Sequence, residues 1–188
     1  MSWKNKTILF LAFVLIGVAL IRYDLRDPDQ PVLTLQKLDG ETADSYAIDT
    51  HTERFNTNGQ LASTMSAPRL DHFKSKGVSV IVSPKVNSVQ ANGQWFATSD
   101  TAQQFDNDDH IELEHNVNIR QSSEGQADIT LETPWLYLDP HTERAHTDQE
   151  VVITRGTGKT TAVGMQADLQ SKHVDLLSQV ETLYEPAR

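Results

Sequence analysis

His141, Glu143 and His146 place two imidazoles and a carboxylate close together, side chains that ligate zinc when a helix or a closed loop aims them at one point. A zinc-binding helix spaces its histidines i, i+4. Here they are five apart and follow Asp139-Pro140, a turn signal, so a solvated hairpin turn is the better reading. Gly156-Thr157-Gly158-Lys159-Thr160 has the tail of a phosphate-cradling loop, but Ile153 stands where the leading glycine belongs and no helical stripe follows. That stretch also reads as a turn. Asp106-Asn107-Asp108-Asp109 lacks the glycine and terminal glutamate of a calcium loop. His115 is expected on the apolar side of a strand, as a satisfied interior histidine. No serine occupies a Gly-x-Ser-x-Gly elbow, and the carboxylates scatter over polar positions and turns. Nothing in these residues demands catalysis.

The elements that position them come from a chain of 188 residues, enough for one ordinary domain. Apolar residues make up 38%, and mean hydropathy is −0.45, which permits a core and excludes a polytopic membrane protein. With no cysteine, disulfides, thiolate metal sites and thiol nucleophiles are excluded. Net charge is −10, and every acid lies at or after Asp24, so the part beyond residue 23 carries 13 basic against 26 acidic groups. Such a surface repels nucleic acid, whose binding depends on cationic contacts to phosphate.

Ile8 to Ile21 is an uninterrupted apolar run of 14, stretched to about the spanning minimum by Thr7 and Tyr23. Lys4 and Lys6 precede it, which predicts a cytoplasmic N-terminus, though Arg22 and Arg26 weaken the asymmetry. A cleaved signal peptide, cut after Gly17-Val18-Ala19, is the rival reading. Either way the remainder leaves the cytoplasm. Residues 1–7 are then a short cytoplasmic terminus, 8–22 a transmembrane anchor and 23–45 a charged, proline-containing tether.

From Tyr46 onward the dominant period is two. Ile111, Leu113, His115, Val117 and Ile119 alternate with Glu112, Glu114, Asn116, Asn118 and Arg120, as in a half-buried strand. Val78, Val80, Val82 and Val86 repeat the pattern, with Pro84 marking an edge or a strand end. Ile129, Leu131, Thr133, Trp135 and Tyr137 share one parity, and Leu61 to Ala67 is a weaker case. Turn signals fall at Asn58-Gly59, Asn92-Gly93, 106–109, Glu124-Gly125, Asp139-Pro140 and 156–158. Ala167 to Gln179 scores as either helix or strand, and its neighbours favour strand. The spacing predicts an all-β meander or jelly roll of hairpins. A faint repeat pairs Ala102 to Ile119 with Trp135 to Ile153 at an offset of 33 to 34, with a looser copy over Gly164 to Tyr184. Stacked units of this kind leave an open edge at each end.

The residues resemble the LptC family. The resemblance rests on Gly59-x-Leu61, Met65-x-Ala67-x-x-Leu70-x-x-Phe73, Pro84, Trp95, and Ile111-x-Leu113-x-x-x-Val117. Leu131-Glu132-Thr133-Pro134-Trp135-Leu136-Tyr137-Leu138-Asp139 with Thr147-Asp148-x-x-Val151, and Gly164-Met165-x-Ala167-Asp168-Leu169-x-Ser171-Lys172 with Val180 and Tyr184, extend it over nearly the whole chain. The chain departs from the family in carrying His115 where glycine is common, which bears on how closely a ligand or partner backbone approaches there.

The resemblance implies a single-pass inner-membrane helix and a periplasmic twisted β-jellyroll over 46–188, with no enzymatic activity and no cofactor. It implies that the jellyroll accepts lipopolysaccharide extracted by the LptB, LptF and LptG transporter and passes it to LptA. The transporter would be met through the helix, at Gly17, and through the N-terminal jellyroll edge. LptA would be met through Val174, Leu176, Val180 and Tyr184 at the C-terminal edge. Phe55, Ile81, Val117, Ile129, Leu131 and Trp135 are the expected lipid-facing set. The acidic exterior is expected to repel phosphorylated headgroups, leaving apolar contact, about 25 cal/mol per Å² buried, to drive binding. A purely structural periplasmic scaffold is the alternative, and a periplasmic hydrolase the third reading.

Overall fold

The computed structural model describes residues 36–90, 93–107, 110–139, 141–169, 171 and 173–184. The anchor at 8–22, with Gly17, lies outside these residues. No helix among them is long and apolar enough to cross a membrane.

The described residues form only strands and turns. In chain order the strands are β1 (Lys37–Leu38), β2 (Glu41–Thr42), β3 (Ser45–Phe55), β4 (Leu61–Phe73), β5 (Val78–Val82), β6 (Lys85–Gln90) and β7 (Gly93–Thr98). Then come β8 (Thr101–Phe105), β9 (Ile111–Ser122), β10 (Ile129–Asp139), β11 (Arg144–Arg155), β12 (Gly158–Asp168) and β13 (His173–Tyr184). Every pairing is antiparallel. β5 and β6 lie along one side of β4 as two halves of one interrupted strand, and β7 and β8 lie likewise along β9. From β3 to β13 the chain is therefore a meander of nearest neighbours, open at β3 and at β13.

Each long strand is broken near its middle, and the breaks line up. Asp49, Ser83, His115, Asn116 and Gln179 all have positive φ, as does Gly164. Pro68, Pro84 and Pro134 supply breaks by withholding a ladder donor. Register shifts fall at Thr133/Trp135 and Thr147/Glu150. Backbone bonds stitch the line together, from Ser83 N–H to the Asp100 carbonyl (2.7 Å) and from Asp100 N–H to the His115 carbonyl (2.9 Å). Where the ladder lapses, buried hydroxyls take over. Ser99 Oγ donates to the Thr101 carbonyl (2.8 Å), Thr133 Oγ1 donates to the Trp135 carbonyl (3.2 Å), and Thr147 Oγ1 accepts from Gln149 N–H (3.1 Å). This satisfies polar groups that would otherwise be buried unpaired.

The line divides the sheet into an upper half, carrying the turns at 56–60, 123–128 and 156–157, and a lower half, carrying those at 74–77 and 141–143. Ile119, Leu131 and Ile153 above it pack in one cluster with Ile81, Leu136 and Met165 below it. The sheet is folded over on itself around that cluster. One predicted feature holds and one changes. Pro84 stands at a strand end, in the corner between β5 and β6 inside the sheet. His115 is exposed at the corner with φ +59, not interior, because the strand cannot stay extended through the bend. A left-handed residue is where glycine is cheapest, so a histidine here carries a backbone cost.

The folded unit also begins earlier than Tyr46. Leu38 and Ala43 pack on Phe73, Val78, Val80 and Phe105 in a second cluster, so β1 and β2 cover the sheet instead of serving as a bare tether.

Gly164 carries its corner at φ +80, and a Cβ there would lie 2.9 Å from Leu177 Cδ1 and 3.2 Å from Leu177 Cβ. Left-handed backbone costs a side chain about 1–3 kcal/mol before that clash is counted. Gly164→Val is expected to lower the melting temperature and to speed amide exchange along β13 more than elsewhere. Uniform exchange at wild-type stability would contradict the tight seat.

In the β10–β11 turn, Asp139 Oδ1 accepts from the N–H groups of His141 (2.8 Å) and Thr142 (3.1 Å), and Oδ2 accepts from Thr142 Oγ1 (2.6 Å). The Thr142 hydroxyl, then its N–H, hold this carboxyl below the ordinary aspartate range. The unfolded chain takes the proton first, so the turn's contribution is full above about pH 4 and is lost as pH falls through the lower native value. Acid melts of Asp139→Asn should lack that part of the decline. Parallel acid limbs for the two proteins would refute it.

Candidate functional site

The candidate site is the core face of the folded sheet and the two edges where that face comes into the open. Cross-strand partners share a face. Ile153 packs on the core and pairs with Thr160, which pairs with Thr182. Val180 and Tyr184, two residues to either side of Thr182, therefore belong to the core face. Below the corner, Val174 and Leu176 pair with the core residues Ala167 and Met165. The corner at Gln179 keeps all four on one side. Leu176 is half-buried, whereas Val174, Val180 and Tyr184 are exposed, Tyr184 to 73%.

At the opposite edge β3 pairs, among the described residues, only with β4. A bulge after Arg54 sets Phe55 opposite Leu61, on the parity of Met65, so Phe55 lies on the core face at the rim and is 55% exposed. Among the described residues, nine of the eleven exposed large hydrophobics lie on β3, on β13 or at Leu61 beside β3. Each edge also carries a row of main-chain groups with no neighbouring strand among the described residues, a template for strand addition.

The expected lipid-facing residues separate into three groups. Ile81 and Val117 are buried in the middle of the cluster. Leu131 and Ile129 are half-buried on the same face, Leu131 packed against the cluster and Ile129 nearer the upper rim. Trp135 is on the other side of the sheet. The register shift after Thr133 turns Leu136 into the core, and Trp135 Nε1 instead donates to Glu112 Oε2 at 3.3 Å. It begins a row of rings over the outer lower face: Trp135 to His146 (5.8 Å), His146 to Tyr137 (4.5 Å), Tyr137 to His110 (5.0 Å) and His110 to Phe105 (4.2 Å). His146 belongs to this row, while His141 and Glu143 occupy the turn. No cluster of potential metal ligands occurs among the described residues.

Beside the β3 edge the outer face carries a fully buried carboxylate, Asp71, which accepts two bonds of 2.6 Å from Arg69 Nε and from a terminal guanidinium nitrogen. The Tyr46 ring lies 5.5 Å from that guanidinium. The hydrogen bond to Asp71 raises the arginine above its ordinary value, against the opposing effect of burial. This bidentate pair fixes β4 behind the edge strand. Nothing in the spacing of Arg69 and Asp71 distinguished them from solvated charges.

An all-β sheet, folded along a line of corners and open at both ends, is the geometry against which relatives can be judged. The family model described as lipopolysaccharide-assembly, LptC-related, matches residues 9–185. The chain belongs to this family. Among solved structures the fold is similar to that of LptH from Pseudomonas aeruginosa, described as the LptA-homologous periplasmic component of the conserved lipopolysaccharide transport device. The two superpose with a TM-score of 0.52 at 11% identity, over 66% of this chain and 95% of that one. At that identity the likeness speaks for the jellyroll fold alone. No curated protein sequence matches the chain. Family membership makes the chain a component of lipopolysaccharide assembly, in a transport family.

Proposed function

We propose that this protein is the membrane-anchored carrier of lipopolysaccharide export. Residues 8–22 cross the inner membrane with the N-terminus in the cytoplasm and meet the LptF and LptG subunits, with Gly17 allowing close helix approach. The β3 edge faces the same transporter, whose ATPase LptB supplies the energy. The jellyroll in the periplasm takes acyl chains against its core face and passes them to LptA across β13. The observation that carries this reading is that the core face comes into the open at both edges, at Phe55 and Leu61 beside β3 and at Val174, Val180 and Tyr184 on β13.

Carriage needs no reacting group, only apolar surface that can be covered and uncovered. Phe55 and Tyr184 stand on the core face at opposite edges, Phe55 near the turn at 56–60 and Tyr184 near that at 156–157, where a neighbouring jellyroll would extend the same greasy surface. Acyl chains approach from that rim past Ile129 and Leu131, and deeper passage parts the two halves around Ile81 and Val117. The scaffold reading draws its support from that same packing, since Val117, Leu136 and Val151 are each 1% exposed. Photocrosslinkers at Ile129 and Leu131 separate the two. Labelling of lipopolysaccharide there, and none from a crosslinker at Trp135, is the carrier's result. Labelling of partner proteins alone at every position would leave the scaffold.

A further inference from the structure

The outer face of the upper half holds a pocket of about 410 Å³ across β4, β6, β7 and β9, on the side opposite Met65 and Ile119. Thr64, Asn87, Phe96 and Arg120 are successive cross-strand partners in one row, and Lys85 and Thr98 pair in the next row of the same face. Two cations line it and no carboxylate does, in a chain of net charge −10. Neither Lys85 nor Arg120 makes an ion pair among the described residues. Arg120 is held in place by stacking on Phe96, 4.7 Å from the ring centroid, which leaves its N–H groups to donate elsewhere. Two carboxylates flank the lining by register, Glu53 opposite Thr64 and Glu132 opposite Asn118; Glu53 lies 3.4 Å from His51 Nε2, and Glu132 accepts from Asn118 Nδ2 at 3.2 Å.

A second observation narrows the chemistry. Asn87 Oδ1 is shut off from solvent and has no hydrogen-bond partner, the one such side-chain atom among the described residues. A buried acceptor left in this state calls for a donor. A fully deprotonated anionic group satisfies the cations but offers Asn87 no donor. A ligand with an anionic group and a neighbouring hydroxyl satisfies both. We propose that this pocket binds a phosphorylated saccharide, the phosphate between Lys85 and Arg120 and a sugar hydroxyl donating to Asn87. Thr64 and Thr98 add hydroxyl donors beside it.

Two sources share that chemistry: the headgroup of the lipid that the proposed function has this protein carry, and a free sugar phosphate. The headgroup source rests on that proposed function; the pocket does not. It is also a local exception to an exterior otherwise expected to repel phosphate.

Titration calorimetry on the full chain in detergent, with glucose 1-phosphate, glucose and inorganic phosphate as probes, tests the pocket. Glucose 1-phosphate should bind more tightly than either fragment. Lys85→Gln/Arg120→Gln should weaken it by about tenfold or more, the scale of losing a charge-assisted bond. Asn87→Leu should remove its advantage over inorganic phosphate. These exposed cations bear on no core contact, and an unchanged melting curve certifies the fold. Capture of intact and of dephosphorylated lipopolysaccharide then assigns the source. Weaker capture of intact lipid by the double variant, down to that of dephosphorylated lipid by wild type, supports the headgroup. Unchanged lipid capture alongside lost glucose 1-phosphate binding supports the free sugar phosphate. Glucose 1-phosphate binding by a protein that captures no lipopolysaccharide would overturn the carrier function and keep the pocket. No binding of glucose 1-phosphate, or binding that the double variant leaves intact, overturns the pocket whatever becomes of the carrier.

Discussion

Removal of Val180 to Arg188 should abolish binding of LptA by the full-length protein while leaving its association with the transporter intact. The expectation follows from the two properties of β13 taken together. Among the described residues no strand lies beside its outer main-chain groups, and Val174, Val180 and Tyr184 bring the core face into solvent at the same edge. Strand addition supplies the register of the contact, and the apolar side chains supply its buried area. Leu183→Pro is the milder form of the test, since it leaves the chain length and withdraws one donor. It should weaken LptA capture without abolishing it. Co-purification from detergent, with circular dichroism to certify the fold, reads both variants. Full LptA capture by a folded truncation would move the contact to the β3 edge.

Aspartate substitutions across the core face should divide by depth. Val117→Asp and Val151→Asp place an ionisable group where the native side chain is 1% exposed. Burying even a neutral polar group unpaired costs roughly 2–7 kcal/mol, and a whole domain is stable by only about 5–15 kcal/mol. Both variants should be unfolded or melt far below wild type. Ile129→Asp and Leu131→Asp sit half-buried toward the rim, where the carboxylate reaches water. They should fold and lose lipopolysaccharide capture. If all four melted, the acyl chains would not lie on this face of the upper half. If the two rim variants folded and captured lipid normally, the lipid path would lie elsewhere.

Period-two alternation made the strands legible because it holds wherever a strand is straight. Ile111 and Leu113, and again Val117 and Ile119, fall on one face as expected. It misled where a strand turns the corner. β9 keeps its parity by placing both His115 and Asn116 in the bend, whereas β10 changes parity, so Leu131 and Leu136 face inward together and Trp135 outward. Period alone cannot foresee a corner. The prolines could have, since Pro68, Pro84 and Pro134 each interrupt an otherwise strand-like run, and all three lie on the line. The repeat carries the same information. Ala102 and Leu136 occupy equivalent buried places, as do Val117 and Val151, one hairpin apart. The apolar face of β13 was legible because Val174, Leu176, Val180 and Tyr184 share one parity, which the register with β12 keeps. The pocket around Lys85 and Arg120 was not, because its residues come from four strands, and only their register brings them into two adjacent rows.

The central claim is that lipopolysaccharide passes through this protein on its way to LptA. It is tested most directly in proteoliposomes holding the LptB, LptF and LptG transporter, this protein and lipopolysaccharide, with soluble LptA outside. A photocrosslinker at Leu131 and another within LptA report the position of the lipid after ATP is added. The account predicts ATP-dependent labelling at Leu131 that precedes labelling of LptA, and loss of the LptA signal alone when Val180 to Arg188 are removed. Labelling of LptA at the wild-type rate with no lipid ever crosslinked at Leu131 would contradict it.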